Sequence, residues 1–305
     1  MRGAILGAPL AFMGLAAAVA FNAVACSGST MLVCSCATKQ NAADVSEGIS
    51  LDVEGEVSDA ASTGGVATYT DAPAVGNLGL TVPLCTITRA PSSPTDTDGD
   101  GVPDSVSLTI NGCVLTYPGA GGAFAETDTL LGTIIVKDPT PTTADHNVER
   151  TYQQVSRIRE RVGSSTVARS TEMWTGTRVM TRDSSSLMQV ETGFITQFGL
   201  PDGSTPTHKR TWTSKFTADT AGSIKADKPL PSGTWSITGT GTWTIGPSTY
   251  NVTVSTTVPL HYNAGCTATP PFDSGVLKVA MTQGTGTGTV TITFTPCGTA
   301  IGYNS

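Results

Sequence analysis

Trp235-Ser-Ile-Thr-Gly-Thr-Gly-Thr-Trp-Thr-Ile245, continued by Gly246-Pro-Ser-Thr-Tyr-Asn-Val-Thr-Val-Ser-Thr-Thr-Val-Pro-Leu260, decides the fold. Trp235, Ile237, Trp243 and Ile245 share one parity across Gly239 and Gly241, and Tyr250, Val252, Val254, Val258 and Leu260 share another. Threonine fills the opposite face. A period of two with one wet face predicts antiparallel sheet. Outward from this stretch the same pattern recurs. Val290, Ile292 and Phe294 alternate near the end, and Met188, Val190, Phe194 and Phe198 are assigned to one face. Thr81–Thr88, Val106–Tyr117 and Leu130–Lys137 also read as strands separated by turn residues. Gly284–Gly288 predicts a bend, a bulge or a hairpin tip.

Composition agrees. The 305 residues include 51 threonines and 34 glycines, with only 13% charged residues. That excludes a coiled coil or helical bundle, which needs Ala, Glu, Lys and Leu. The expected fold is all-β: one large antiparallel sheet structure, a sandwich or a curved half-barrel, with few or no helices after the leader. Tyr152, Val155, Ile158 and Val162 fall at helical spacing, whereas Arg157, Arg159 and Arg161 would line one strand face. The surrounding pattern favours the strand.

The first 25 residues read as a signal peptide: Arg2, an apolar run from Ala4 to Phe21, then small Ala23-Val24-Ala25 before Cys26. Residues 26–48, small and polar, are expected to be a flexible tether, with the β domain filling 49–305 and alternation beginning at Ile49-Ser-Leu-Asp-Val53. In an exported chain, six further cysteines suggest disulfides. Cys85 with Cys113, and Cys266 with Cys297, lie in neighbouring strand-like segments and are paired on that basis. Cys34 and Cys36 are too close to pair comfortably with each other and stay unassigned; a Cys-x-Cys metal site would find no other Cys/His pair nearby in sequence to complete it.

Charge is divided along the chain. Residues 26–148 carry 15 acidic and 3 basic side chains, and residues from 149 onward carry 9 and 13. The net charge of −7 argues against a nucleic-acid partner. Arg150, Arg157, Arg159, Arg161, Arg169, Arg178 and Arg182 would either face an anionic ligand or pair with acidic neighbours across the sheet. Pairing is the expectation.

The sharpest motif is Asp96-Thr-Asp-Gly-Asp-Gly-Val-Pro-Asp104. Carboxylates at alternate positions put several oxygens around one small hard cation, expected to be a structural Ca²⁺. The expected ligands are Asp96, Asp98, Asp100, the Val102 carbonyl, and Asp104 directly or through water. The loop resembles the calcium loops of thrombospondin type 3 repeats and the start of an EF-hand loop. It departs where those loops carry a bidentate acid, here Ser107. No catalytic set is assigned. His146, His208 and His261 lie in no zinc or nucleophile motif, and Trp174, Trp212, Trp235 and Trp243 read as core rather than as a sugar platform.

The small residues before Cys26 resemble a bacterial lipobox, and the closing segment from Cys266 to Cys297 is similar to the terminal strands of secreted or surface lipoproteins. The resemblance implies an acylated Cys26, a membrane partner through that anchor, and a place on the bacterial envelope or outside it. Cleavage after Ala25 leaving Cys26 a plain thiol is the alternative. The resemblance assigns no activity; with no catalytic set in the sequence, a non-catalytic role is expected, binding a glycan, lipid or envelope protein or serving structurally. Its alternative is an envelope hydrolase or a lipid or small-molecule carrier whose site is assembled from residues distant in sequence.

Overall fold

The computed structural model describes residues 39–61, 87–118, 125–162, 167–225, 228–266, 271–295, 297 and 299–304. Residues 1–25, expected to be a signal peptide, and Cys26, Cys34, Cys36 and Cys85 lie outside them. Among the described residues one helix, α1 (Lys39–Ala61), precedes twelve strands: β1 (Ile87–Ala90), β2 (Val106–Pro118), β3 (Ala125–Lys137), β4 (Val148–Val162), β5 (Val167–Arg182), β6 (Ser186–Gly199), β7 (Thr207–Ala218), β8 (Gly233–Ile245), β9 (Ser248–Tyr262), β10 (Phe272–Gln283), β11 (Gly286–Thr295) and β12 (Thr299–Asn304). They form one open antiparallel sheet in strict chain order. The all-β reading holds. Each strand pairs with the one that follows it in the chain, with no crossover between distant strands. Gly284 (φ +58°) sits in the two-residue tip joining β10 to β11, closed by Gln283 opposite Gly286.

The sheet curls because its strands are bulged in line. Register slips at Asn111/Cys113 in β2, Leu131/Thr133 in β3, Tyr152/Val155 in β4, Thr175/Thr177 in β5 and Glu191/Phe194 in β6. Each slip holds a positive-φ residue: Gly112, Gly132, Gln154, Gly176 and Gly193. A bulge bends its strand and increases the local twist. At Gly176 the need for glycine is doubled, since a Cβ there would lie 2.9 Å from the Phe194 Cα.

The bulges also switch which parity faces inward. In β4 both Tyr152 and Val155 are buried although three residues apart, which is why this strand has helix-like spacing. In β6 the inward residues are Leu187, Gln189 and Glu191 before the slip, then Phe194, Thr196 and Phe198 after it. Met188 is 40% exposed. The assignment of Met188 and Val190 to the face of Phe194 is therefore corrected: Gly193 inverts the phase between them.

The sheet wraps around α1, and here a second correction is needed. Residues 39–48 are helical rather than a flexible tether, and Ile49–Val53 belong to the same helix rather than to a strand. The alternation at 49–53 misled because the helix is enclosed: Leu51 through Val57, apart from Gly55, are all among the buried side chains. Ala42, Val45, Ile49, Val53, Val57 and Ala60, spaced by three and four, join the core cluster of Trp235, Val252, Val279 and Ile292. Two helical glycines admit the sheet's largest side chains. A Cβ on Gly48 would stand 2.1 Å from the Trp243 ring, and one on Gly55 would stand 3.3 Å from Trp174.

Cys266, after β9, and Cys297, after β11, form a disulfide with Cα atoms 5.6 Å apart. Cys113 is buried on β2.

Candidate metal centre

The aspartate motif occupies the connection from β1 to β2, and its own backbone shapes it. Asp96 accepts the N–H of Gly99 at 2.9 Å on Oδ1 and that of Gly101 at 3.0 Å on Oδ2. Asp98 accepts the Asp100 N–H at 3.1 Å, and Asp100 accepts the Val102 N–H at 2.7 Å. Gly99 (φ +75°) and Gly101 (φ +90°) make the turns that let successive carboxylates double back. One carboxylate oxygen from each of Asp96, Asp98 and Asp100 lies within 4.8 Å of the others. Ligands at about 2.4 Å from a Ca²⁺ cannot be more than about 4.8 Å apart, so the spread fits one ion.

Asp104 stands outside this trio. Its Oδ1 accepts the Thr97 N–H, and its Oδ2 accepts the hydroxyls of Thr97 at 2.7 Å and Thr95 at 2.8 Å. The Thr97 hydroxyl bond, first among these contacts, holds the carboxyl below its ordinary range. Asp104 closes the loop. Ser107 is already in the ladder, opposite Ala90 on one side and Ile135 on the other, and so cannot turn back to the loop.

The β3–β4 connection is clipped to this loop at both ends. The Asp138 N–H donates to the Pro103 carbonyl at 3.0 Å, and the His146 N–H donates to Asp100 Oδ2 at 2.5 Å. His146 Nδ1 is 2.7 Å from the Asp100 carbonyl oxygen. Asp145 instead accepts from Thr140 and Asn147, so Asp145 and His146 are not paired with each other. Sequence reasoning missed both Asp138 and the role of His146. They lie more than thirty residues downstream, and only hairpin pairing brings them back.

A second cluster fills the interior. Arg157 and Arg159 on β4 share Asp128 of β3 and Glu54 of α1, with Arg157 2.9 Å from Asp128 and 3.1 Å from Glu54. Arg178 and Arg210 share Glu191, at 2.6 and 2.5 Å. Asp52 accepts from Thr196 at 2.6 Å, His208 Nδ1 at 2.7 Å and Arg210 at 2.7 Å. Burial alone would raise the Asp52 carboxyl, but Arg210 and His208 outweigh it and hold it below its usual value. His208 is itself pushed down by burial. A neutral ring donating from Nδ1 suits its buried Nε2, which has no hydrogen-bond partner. Arg157, Arg159 and Arg178 thus face carboxylates, as the pairing expectation had it, but these pairs are inside. Arg169 with Glu160, at 3.6 Å, is an exposed one.

Two carboxyls in this interior lack full partners. Glu56 accepts only the Ser214 hydroxyl, at 2.6 Å, and neither Glu172 oxygen accepts a hydrogen bond. Burial pushes each up to about 7, with Glu191 adding to the effect at Glu56. Trp212, Trp235 and Trp243 are core side chains, each at most 1% exposed. His261 lies between Asp219, 3.0 Å from Nε2, and Asp273, 2.8 Å from Nδ1. Both ring nitrogens are engaged, and the Asp219 bond first of all raises its pKa.

No protein-family model matches this chain, and no curated protein or solved structure matches it either.

Proposed function

We propose that this chain is a non-catalytic lipoprotein of the bacterial cell envelope, tethered through an acylated Cys26, whose β domain is stabilised by one Ca²⁺. The observation that carries the calcium assignment is the convergence of Asp96, Asp98 and Asp100 within 4.8 Å on a loop pre-shaped by its own backbone hydrogen bonds. Three like charges so close repel one another, and a divalent ion reverses that repulsion. The non-catalytic assignment is supported by the histidines: His146 is tied to Asp100, His208 is buried against Asp52, and His261 is held by two carboxylates. A lipid or small-molecule carrier would need an apolar concave sheet face, with Met188, Val190 and Phe194 lining it. Met188 points outward, and α1 occupies the concave side.

With affinity in the extracellular range of roughly 10⁻⁴–10⁻³ M, millimolar Ca²⁺ stabilises the fold by about 1 kcal/mol, a few degrees in melting temperature. Thermal melts of wild type and Asp98→Ala, with Ca²⁺ and with chelator, test this. An equal calcium response in both proteins, or none in wild type, rejects the site. Cys26→Ser is expected to move the protein out of the membrane fraction. Retention as firm as wild type removes the anchor from the reading.

A further inference from the structure

Antiparallel strands paired in chain order put their connections alternately at the two ends of the sheet. The connections β1–β2, β3–β4, β5–β6, β7–β8, β9–β10 and β11–β12 lie at one end. Among the described residues they carry eight aspartates and two lysines, and the aspartate loop is one of them. At the other end the described connections are 200–206, 246–247 and 284–285, and Asp202 is their one charged residue. Two of these three are only two residues long, and Pro201, Gly203, Gly246, Pro247 and Gly284 are exposed. The sheet thus has an acidic end with long connections and a blunt, nearly uncharged end.

The helix enters at the blunt end. Asn41 Nδ2 donates to the Tyr250 hydroxyl at 2.6 Å, and Tyr250 is the third residue of β9, beside the 246–247 tip. Gly48 lies against the ring of Trp243, two residues from the end of β8. Farther along α1, Asp52 meets His208, the second residue of β7, at 2.7 Å. Glu56 meets Ser214, the eighth residue of β7, at 2.6 Å. The helix therefore runs from the blunt end toward the acidic one, and its start, two residues before Asn41, is at the blunt end.

That position restricts where a lipid anchor can hold the domain. Thirteen residue steps separate Cys26 from Lys39. Such a segment reaches at most about 45 Å fully extended, and about 20 Å as a flexible coil. Strands of 12 to 15 residues, such as β7 and β9, run about 40–50 Å. With the acidic end against the bilayer, the segment would have to stretch along the whole length of the sheet, at a large cost in chain entropy. Charge acts in the same sense, because anionic headgroups repel an acidic surface within about 10 Å in 0.1 M salt.

We infer that the blunt end, with the 200–206, 246–247 and 284–285 connections, is the surface that faces the lipid bilayer, and that the acidic end, with the aspartate loop, is held away from it in the surrounding medium. This rests on the acylated Cys26 of the reading above. The tips present Gly, Pro and Thr rather than an apolar wedge, so the contact with the headgroup layer takes its strength from the anchor.

The acylated chain, labelled at its isoleucine methyl groups and bound to nanodiscs of phosphatidylethanolamine and phosphatidylglycerol, tests this. A gadolinium-chelate lipid in those nanodiscs broadens methyl signals that lie close to the headgroups. Ile245 ends β8 at the blunt end, and Ile224 lies in the β7–β8 connection at the acidic end. Loss of the Ile245 signal with retention of Ile224 is expected. Loss of Ile224 with Ile245 retained, equal loss of both, or retention of both in the nanodisc-bound chain overturns the inference and leaves the anchor standing. A chain that does not associate with the nanodiscs overturns both.

Discussion

Glu56→Gln should stabilise the protein, and by an amount that depends on pH. Glu56 sits on the enclosed face of α1, with one oxygen on the Ser214 hydroxyl and the other buried without a donor. Arg178 and Arg210 are near, but both are bonded to Glu191, whose own charge works against ionising Glu56. Raising a carboxyl from 4.5 to about 7 makes its ionisation in the fold cost about 3 kcal/mol. Between those pH values the folded state keeps a proton that the unfolded chain has released. This contribution to stability is therefore full below pH 4.5, falls as pH rises to about 7, and is flat beyond. Gln has the same shape, keeps an acceptor for Ser214 and never ionises. Its advantage over Glu should grow across that window to about 3 kcal/mol by pH 8. His208 works the other way, since a lowered histidine loses stability as pH falls below 6.5, but it is present in both proteins and cancels in the difference. Urea unfolding from pH 4.5 to 8.5, in chelator so that calcium does not enter, supplies the measurement. A difference that is constant with pH, or shrinks as pH rises, refutes the account of the buried ionic interior. Glu172→Gln should show the same sign, because its carboxyl is also lifted to about 7 by burial.

Gly48→Ala is expected to destabilise by about 1–3 kcal/mol, because the new Cβ would meet the Trp243 ring, itself fixed in the core, at 2.1 Å. Chemical denaturation reads this, and a loss below about 0.5 kcal/mol would mean that α1 does not seat against Trp243. His261→Gln addresses a separate pH range. A histidine raised above 6.5 contributes stability that is complete below 6.5 and disappears as pH climbs through its folded value. The variant should therefore lose the part of the wild-type decline above pH 6.5, and NMR titration showing His261 at or below 6.5 in the wild type would contradict the Asp219–His261–Asp273 bridge.

The strands themselves were legible because period-two alternation is a local consequence of the pleat. Trp235, Ile237 and Trp243, then Tyr250, Val252 and Val254, then Val290, Ile292 and Phe294, are all buried where alternation put them. The Cys266–Cys297 bridge was legible from two flanking strand pairs. The aspartate trio was legible because its geometry arises within six residues.

What the sequence alone left open depends on contacts across long separations. The inward face of β4 and β6 could not be read by parity, since Gln154 and Gly193 each insert one residue and invert everything beyond. The helix was hidden for a related reason. A helix exposed on one side shows a single apolar stripe, but α1 is enclosed by the sheet and buries Asp52, Glu54 and Glu56 as well as aliphatics, so Ile49-Ser-Leu-Asp-Val53 read as strand alternation. The partners of those carboxylates, Arg157, Arg159, His208, Arg210 and Ser214, stand more than 100 residues away. The split of acidic residues before 149 and basic ones after it was the only local trace of that pairing. Charge complementarity can be counted along a chain, but which charges meet is decided when the sheet closes around the helix, because desolvation makes each buried charge depend on its particular neighbour.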